Sequence, residues 1–140
     1  MSDEPERDAL MWLGFALGDL EAARSRPGRH VRPRIVAFDA QQSAEKALKA
    51  ALTLSGIDAP KTHDLDDLRR RLPSDWRVKD HPSDLSSLSD FAVDSRYPDD
   101  IAPVTPLQSA TAVRQVIAVV RLVREGFERR GVSTGRLEPR

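Results

Sequence analysis

Apolar residues recur every three or four positions through most of the chain, which is the spacing of an amphipathic α-helix. The first such run carries four leucines on one helix face: Leu10, Leu13, Leu17 and Leu20. The run ends before Pro27 and Gly28, which do not continue a helix comfortably, so a basic loop is predicted there. Period-two alternation of β-branched residues, the mark of a half-buried strand, is nowhere sustained. The pattern therefore predicts an all-α protein.

The second helix is predicted from about Arg34 to Ser55, with Gly56 as its C-terminal cap. Alanine dominates its apolar face, so a neighbouring helix can approach it closely. The residues of this face are Ala37, Ala40, Ala44, Ala47, Leu48 and Ala51. The polar residues between them are expected on the surface, and they are Gln41, Gln42, Glu45, Lys46 and Lys49. Glu45 and Lys49 lie four residues apart, a spacing at which opposite charges pair on a helix.

Two further helices are predicted in the middle of the chain. A short one begins with Thr62 or Asp64 as its N-cap and is ended by Pro73. After a connector over residues 76–82, a longer helix begins near Ser83. Its apolar stripe consists of Leu85, Leu88, Phe91 and Ala92.

The last helix has the clearest start signal in the chain. Thr105 occupies the N-cap, Pro106 the first helical position and Gln108 the third, which together make a capping box. The predicted core face consists of Val113, Ile117, Val120, Val123 and Phe127. A second set lies beside this face and widens the apolar arc: Ala112, Val116 and Val119. A helix that is apolar beyond its core face needs a further partner, so the arc predicts a dimer.

These elements predict a single domain, as the length of 140 residues favours. Residues 1–131, closed by Gly131, are expected to form an up-and-down bundle of four long helices and one short helix. Residues 132–140 are expected to be a polar, disordered tail.

Composition indicates where the protein works and which kinds of site it lacks, but it does not indicate the function. The 22 Lys and Arg residues balance 22 Asp and Glu residues, which excludes a strong global field for binding phosphates. Cysteine is absent, which excludes disulfides, Cys-ligated metals and thiol catalysis. No apolar stretch approaches the roughly 18–20 residues needed to span a bilayer, and the N-terminus has no apolar signal-peptide run. A cytoplasmic protein without membrane association is expected.

Signatures of catalysis are scarce in the sequence. There is no glycine-rich phosphate loop, no HExxH metal motif and no nucleophile elbow. The three histidines, His30, His63 and His81, lie in predicted loops or at a helix start, and no two share a helix face at ligand spacing. We therefore expect neither a metal site nor a cofactor.

Four segments, taken in order along the chain, resemble the HEPN domain family of bacteria and archaea. They are residues 19–23, residues 37–49, residues 61–65 with the sequence Lys-Thr-His-Asp-Leu, and residues 91–100 with an Arg-Tyr-Pro sequence. The resemblance extends roughly from Leu10 to Arg130. It implies a bundle of four or five helices that is usually a homodimer. Many members of the family act with a small nucleotidyltransferase in toxin–antitoxin modules, and others bind nucleotides or cut RNA.

The RNA-cutting members carry an arginine and, a few residues later, a histidine near the start of the last helix. Here the matching Arg96 is followed by residues 97–103 without a histidine. Histidine is the usual proton carrier near neutral pH, so this departure argues against RNA cleavage. Arg24 and His30 have a similar spacing, but they lie in the first loop, and we interpret that match as chance.

The leading hypothesis is therefore a non-catalytic HEPN-like module that binds a nucleotide or a partner nucleotidyltransferase. The candidate ligand-binding residues are Arg96, Tyr97, Lys46, His63 and Asp99. The planar guanidinium of Arg96 matches phosphate geometry, and Lys46 would add positive charge. Tyr97 would stack on a base or a sugar, and His63 would line the same groove.

Three alternatives stay open at this point. A ribonuclease could assemble its site across a dimer from Arg96, Tyr97 and Asp99, or use His63 if the fold brings it close. A pure interaction subunit would instead have one exposed face covered by a partner protein. In a purely structural role, Arg96 would pair with Asp94 or Asp99, and Tyr97 would pack on the last helix.

Overall fold

Three long helices carry most of the core in the computed structural model, which describes residues 4–25, 32–92 and 103–140. The elements are α1 (Glu4–Ser25), α2 (Pro33–Leu54), α3 (Leu65–Arg70), a 3-10 helix (Arg77–Asp80), α4 (Leu85–Ser89) and α5 (Pro106–Arg129). Within these ranges the secondary structure is entirely helical, so the all-α prediction is confirmed. None of the described helices is both long and apolar enough to cross a membrane.

Helix α2 is the central element and packs against both α1 and α5. Every residue of its predicted apolar face, from Ala37 to Ala51, is fully buried. The Ser43 hydroxyl donates a hydrogen bond of 2.7 Å to the main-chain carbonyl of Ala16 in α1, which requires a close approach of the two helices. Gly56 follows the helix with φ 75°, a conformation that glycine adopts without strain, as the sequence predicts.

Two polar residues of α2 that were expected on the surface are buried. Gln41 is 0% exposed and Glu45 is 5% exposed. The prediction fails for these two positions because the loop before α3 packs over them, and His63 of that loop contacts the Glu45 side chain.

The predicted start of α5 is confirmed in detail. The Gln108 main-chain N–H donates to Thr105 Oγ1 at 3.1 Å, and the Thr105 main-chain N–H donates to Gln108 Oε1 at 2.9 Å. This reciprocal pair is the capping box.

The buried face of α5 contains Val120, Val123 and Phe127, as predicted, but it is rotated relative to the rest of the predicted face. Ala112, Val116 and Val119 are at most 1% exposed and lie in the core, whereas Val113 and Ile117 are only partly buried. The expectation of a second, exposed face at Ala112, Val116 and Val119 is therefore wrong. Small and β-branched side chains suit the close packing against the alanine-rich α2, so they occupy the contact and the dimer argument loses this support.

The connector after Pro73 holds a core residue that the periodicity does not reveal. Trp76 is fully buried, and its ring meets Phe127 edge to face with centroids 6.2 Å apart. Its indole N–H donates to the Ser55 hydroxyl at 2.8 Å. A Cβ at Gly126 of α5 would overlap the Trp76 ring, so a glycine is required there.

Of the two candidate caps of α3, Asp64 is the N-cap, because its carboxylate accepts from the Asp67 main-chain N–H at 3.1 Å.

Helix α4 has only five residues, shorter than the helix predicted from Ser83. Its cap is strong, since hydrogen bonds from Ser86 and Ser87 lower the pKa of Asp84 to about 2. Serine is a weak helix former, and three of the five residues are serines, which accounts for the short helix.

Residues 132–140, expected to be a disordered tail, fold back along the bundle. Glu128 of α5 accepts from the Thr134 main-chain N–H at 2.8 Å and from its hydroxyl at 3.0 Å. These hydrogen bonds lower the pKa of Glu128. The Arg124 guanidinium donates to the Thr134 carbonyl at 2.8 Å. Thr134 is consequently 2% exposed although it follows the last helix.

The far end of this segment lies on α1. The Arg140 main-chain N–H donates to the Gly14 carbonyl at 2.9 Å. A Cβ at Gly18 would overlap the Arg140 carbonyl, so glycine makes room for the segment on this side of α1. Residues 132–140 are thus part of the folded structure. Their composition is polar, and hydrogen bonds of polar side chains and main-chain groups hold them on the bundle.

Candidate functional site

The described structure includes two of the five candidate ligand-binding residues, Lys46 and His63. The other three, Arg96, Tyr97 and Asp99, lie outside the described residues. Around His63 the structure assembles a group of polar side chains that we call the Glu45 cluster. Its members are Gln41, Glu45, Lys49 and His63.

The geometry of the Glu45 cluster follows from helix spacing and one loop contact. Gln41, Glu45 and Lys49 are successive i,i+4 neighbours on α2 and therefore lie along one side of the helix. Glu45 Oε1 accepts from Gln41 Nε2 at 3.1 Å, and Oε2 accepts from Lys49 Nζ at 3.0 Å. The loop before α3 places His63 Nδ1 2.7 Å from Glu45 Oε1. A nearly buried carboxylate thus holds three side chains at once.

Glu45 is ionised at neutral pH despite its burial. Burial by itself would raise the pKa of Glu45, but hydrogen bonds from His63, Gln41 and Lys49 outweigh burial and hold the pKa below its usual value of 4.5. The anionic carboxylate accepts hydrogen bonds only, so the short contact with His63 requires a proton on Nδ1.

This contact orients the His63 ring at the surface. The side chain of His63 is 52% exposed, whereas the Glu45 side chain is 7% exposed. A carboxylate that accepts from Nδ1–H fixes both the tautomer and the direction of an imidazole. The arrangement presents a fixed histidine to solvent, which suits either a hydrogen bond to a ligand or a proton transfer.

Lys46 lies next to Glu45 in sequence but belongs to a different contact. Its ammonium pairs with Asp19 of α1 at 2.6 Å, and both side chains are 26% exposed. The structure therefore does not join Lys46 and His63 directly. A phosphate group that approached Lys46 would compete with Asp19, so this lysine offers less positive charge than its residue type alone indicates.

The sequence indicated the pairing of Glu45 with Lys49 but not that of Glu45 with His63. The first pair is readable because its members are four residues apart on one helix. The second joins residues 18 positions apart, and only the fold brings them together. The sole sequence signal for burial at Glu45 is its place beside Ala44 in a stripe of alanines.

Lys49 also faces an aromatic ring. Its ammonium lies 5.6 Å from the centroid of the Trp12 ring of α1, within cation–π range. Across the described ranges no group of three or more His, Asp and Glu side chains is arranged to hold a metal ion.

Comparisons with known proteins agree with this architecture. The sequence profile of the HEPN domain matches residues 9–128. A solved structure, the crystal structure of TT1696 from Thermus thermophilus, is similar with a TM-score of 0.69 and 31% sequence identity. The match covers 84% of this chain and 96% of that one. No curated protein matches the sequence.

Proposed function

The chain belongs to the HEPN domain family, and from this membership we propose that it is a non-catalytic module that binds a nucleotide or a partner nucleotidyltransferase. The proposed setting is a toxin–antitoxin-type system in the cytoplasm, with the module acting as a homodimer. The observation that carries the proposal is the contact of 2.7 Å between Glu45 and His63, because it fixes a half-exposed imidazole on the surface.

In this proposal each residue contacts a different part of the ligand. His63 donates or accepts one hydrogen bond from a fixed position, and the Arg96 guanidinium binds phosphate oxygens in a bidentate manner. Tyr97 stacks on the base or sugar, and Asp99 accepts a hydrogen bond. Lys46 contributes least, because Asp19 already neutralises it.

Calorimetric titration with ATP, AMP and inorganic phosphate tests the nucleotide half of the proposal. We expect ATP to bind the wild type and to bind Arg96→Ala about tenfold or more weakly, since a hydrogen bond to a charged group contributes ~1.5–3 kcal/mol. His63→Ala should also weaken binding, and Lys46→Ala should have a smaller effect.

His81→Ala is the matched control for the histidine variant. His81 is a loop histidine whose Nδ1 accepts from the Ser83 main-chain N–H at 3.2 Å, away from the Glu45 cluster. Equal affinity of the wild type and both His63→Ala and Arg96→Ala would contradict the proposed site. Failure of all three probes to bind would rule out nucleotide binding and leave the binding of a partner nucleotidyltransferase. Co-purification with a nucleotidyltransferase encoded beside this chain would test that second function.

The ribonuclease alternative has one observation in its favour. A histidine held by a carboxylate can move a proton near neutral pH, and the Glu45–His63 pair has that arrangement. Arg96, Tyr97 and Asp99, assembled across a dimer, would complete such a site.

An assay on structured and single-stranded RNA separates the two functions. We expect no cleavage above background with the wild type, Arg96→Ala or His63→Ala. Cleavage by the wild type that is lost in both folded variants would instead assign the ribonuclease.

A further inference from the structure

A groove of about 780 Å³ lies between α1 and α5, with Thr134 and Gly135 of the segment after α5 also lining it, and it shares no residue with the Glu45 cluster. Leu17 and Leu20 of α1 and Ile117 and Val120 of α5 form its floor. Ile117 is partly buried, although periodicity places it in the core. Leu17, Leu20 and Val120 are at most 8% exposed, so this aliphatic seam between two long helices is accessible mainly at Ile117.

Arginines dominate the rim of this groove. Arg77, Arg121, Arg124 and Arg129 line it, against two carboxylates, Glu125 and Glu128. The formal charge of these six side chains is therefore four minus two, or +2. A basic rim over an aliphatic floor favours a ligand that is both acidic and aliphatic.

The arginines differ in what they already bind. Arg124 donates to Thr134, and Arg129 donates to the main-chain carbonyl of Asp75. The side chains of Arg77 and Arg121 are exposed and make no hydrogen bond or ion pair with any residue that the structure describes. These two side chains are therefore available to a partner without breaking an existing contact.

The dimensions of the groove suit a helix. From Ile117 to Arg129 it follows α5 for about 18 Å, or roughly three helical turns. A seam between two packed helices accepts the side-chain ridge of a third helix. The described residues that line the groove include no aromatic side chain, so they offer no stacking platform of the kind that nucleotides and single-stranded RNA use.

We propose that this groove docks an acidic amphipathic helix from a partner protein. Aliphatic residues of that helix at i, i+3 or i+4, and i+7 contact the floor, and its Asp or Glu residues pair with Arg77 and Arg121. The proposal does not depend on the nucleotide site, because the two surfaces have no residue in common.

Selection from a displayed peptide library tests the groove and requires no candidate partner. The library contains helix-forming peptides of about 16 residues, which cover roughly four turns. The wild-type protein is the bait, and the double variant Arg77→Glu/Arg121→Glu removes peptides that bind elsewhere. We expect the surviving peptides to carry Leu or Ile at three-four spacing and an excess of Asp and Glu.

Anisotropy titration of one selected peptide then measures the contribution of each residue. Arg121→Glu and Ile117→Asp should each weaken binding about tenfold or more, and raised salt should weaken binding to the wild type. Arg114→Glu is the matched control, since Arg114 is an exposed arginine of α5 outside the groove, and it should bind like the wild type. Melting temperatures near that of the wild type show that the variants fold.

Three results would overturn the proposal. The first is a selection that enriches no peptide or only basic and unpatterned ones. The second is an RNA oligonucleotide that binds the groove, in place of acidic peptides, with the same dependence on Arg121. The third is a dimer that becomes monomeric in Arg77→Glu/Arg121→Glu, which would make the groove an interface between copies of this chain.

Discussion

At the scale of single residues, alanine sets how closely the neighbours of α2 approach. Ala44 is fully buried, and the adjacent Ser43 hydroxyl reaches the main chain of α1. Replacing Ala44 with Leu inserts a branched side chain where no space exists, and we expect a loss of about 1–3 kcal/mol in the free energy of unfolding. Urea denaturation of Ala44→Leu measures this loss.

Ala110→Leu is the control for this substitution. Ala110 lies on the exposed side of α5, so the same change there should leave the midpoint almost unaltered. An Ala44→Leu variant that unfolds with the wild type would place the alanine stripe in solvent and contradict the packing of α2.

Glu45 gives a second residue-scale prediction, which concerns pH. Folding lowers the pKa of this carboxyl from its usual 4.5, so its ionised form stabilises the native state. That stabilisation is complete above about pH 4.5 and is lost as the pH falls through the lower, folded-state pKa. Glu45→Gln should therefore be less stable than the wild type at pH 7, and its stability should fall less steeply in acid.

The free energy of unfolding measured from pH 7 to pH 3 checks this expectation. We expect a deficit of about 1–3 kcal/mol for Glu45→Gln at pH 7, because the Lys49 and His63 groups lose their charged acceptor. Glu21→Gln, on the exposed surface of α1, is the control and should follow the wild type. Parallel curves for the wild type and Glu45→Gln would show that the cluster does not couple to folding.

The residues that the sequence predicts well are those whose role is local. The alanines of α2 share a helix face, and the face can be read from spacing alone. Spacing alone wrongly places Gln41 and Glu45 on the surface. A polar residue is buried only when the fold supplies its partners, and here His63 and its loop supply them. The candidate site was therefore predictable in part. The sequence identified Lys46 and His63 as candidates, but it did not reveal the contacts that each of them makes.

Among the helices, too, local features are predictable and features that depend on the fold are not, as the start of α5 and its orientation show. Thr105 and Gln108 fix the first turn through neighbouring atoms, so the capping box is predictable. The rotation of α5 depends on its packing against α2, and the short length of α4 follows from its serines, which an apolar stripe does not take into account. Periodicity gives the existence of these helices but not their facing or extent.

The segment after α5 provides a prediction at this scale. Its main chain packs on Gly18 of α1, where a Cβ would overlap the Arg140 carbonyl. Gly18→Ala should release the Arg140 end of this segment from α1, even though alanine stabilises a helix by about 1 kcal/mol relative to glycine. Hydrogen exchange of the Arg140 amide, which donates to Gly14 in the wild type, reports the release.

Gly14→Ala is the matched control, one turn earlier on the same helix. Its Cβ would come no closer than 3.1 Å to Arg140, and only to the flexible side chain, so the segment should stay docked. Equal protection of the Arg140 amide in Gly18→Ala and Gly14→Ala would show that the glycine does not make room for the segment.

At the scale of the whole molecule, the surface that remains for self-association differs from the predicted one. The apolar residues beside the predicted core face of α5 are buried, so they cannot join two copies. Met11 and Phe15 on the outer side of α1 are instead 45% and 40% exposed. They line a cleft of about 720 Å³ that Trp12 and Ile57 also border. This cleft, which Glu4, Asp8 and Asp58 also line, exposes the larger apolar side chains and is the better candidate for the interface of a homodimer.

Sedimentation of the wild type at tens of micromolar should accordingly show a dimer, and Phe15→Glu should shift it toward monomer by placing a charge at the apolar contact. Leu107→Glu is the control, because Leu107 is 71% exposed but lies on α5 away from the cleft, and it should remain dimeric. A monomeric wild type would end the homodimer proposal. A dimer that survives Phe15→Glu but dissociates in Leu107→Glu would move the interface from α1 to the start of α5.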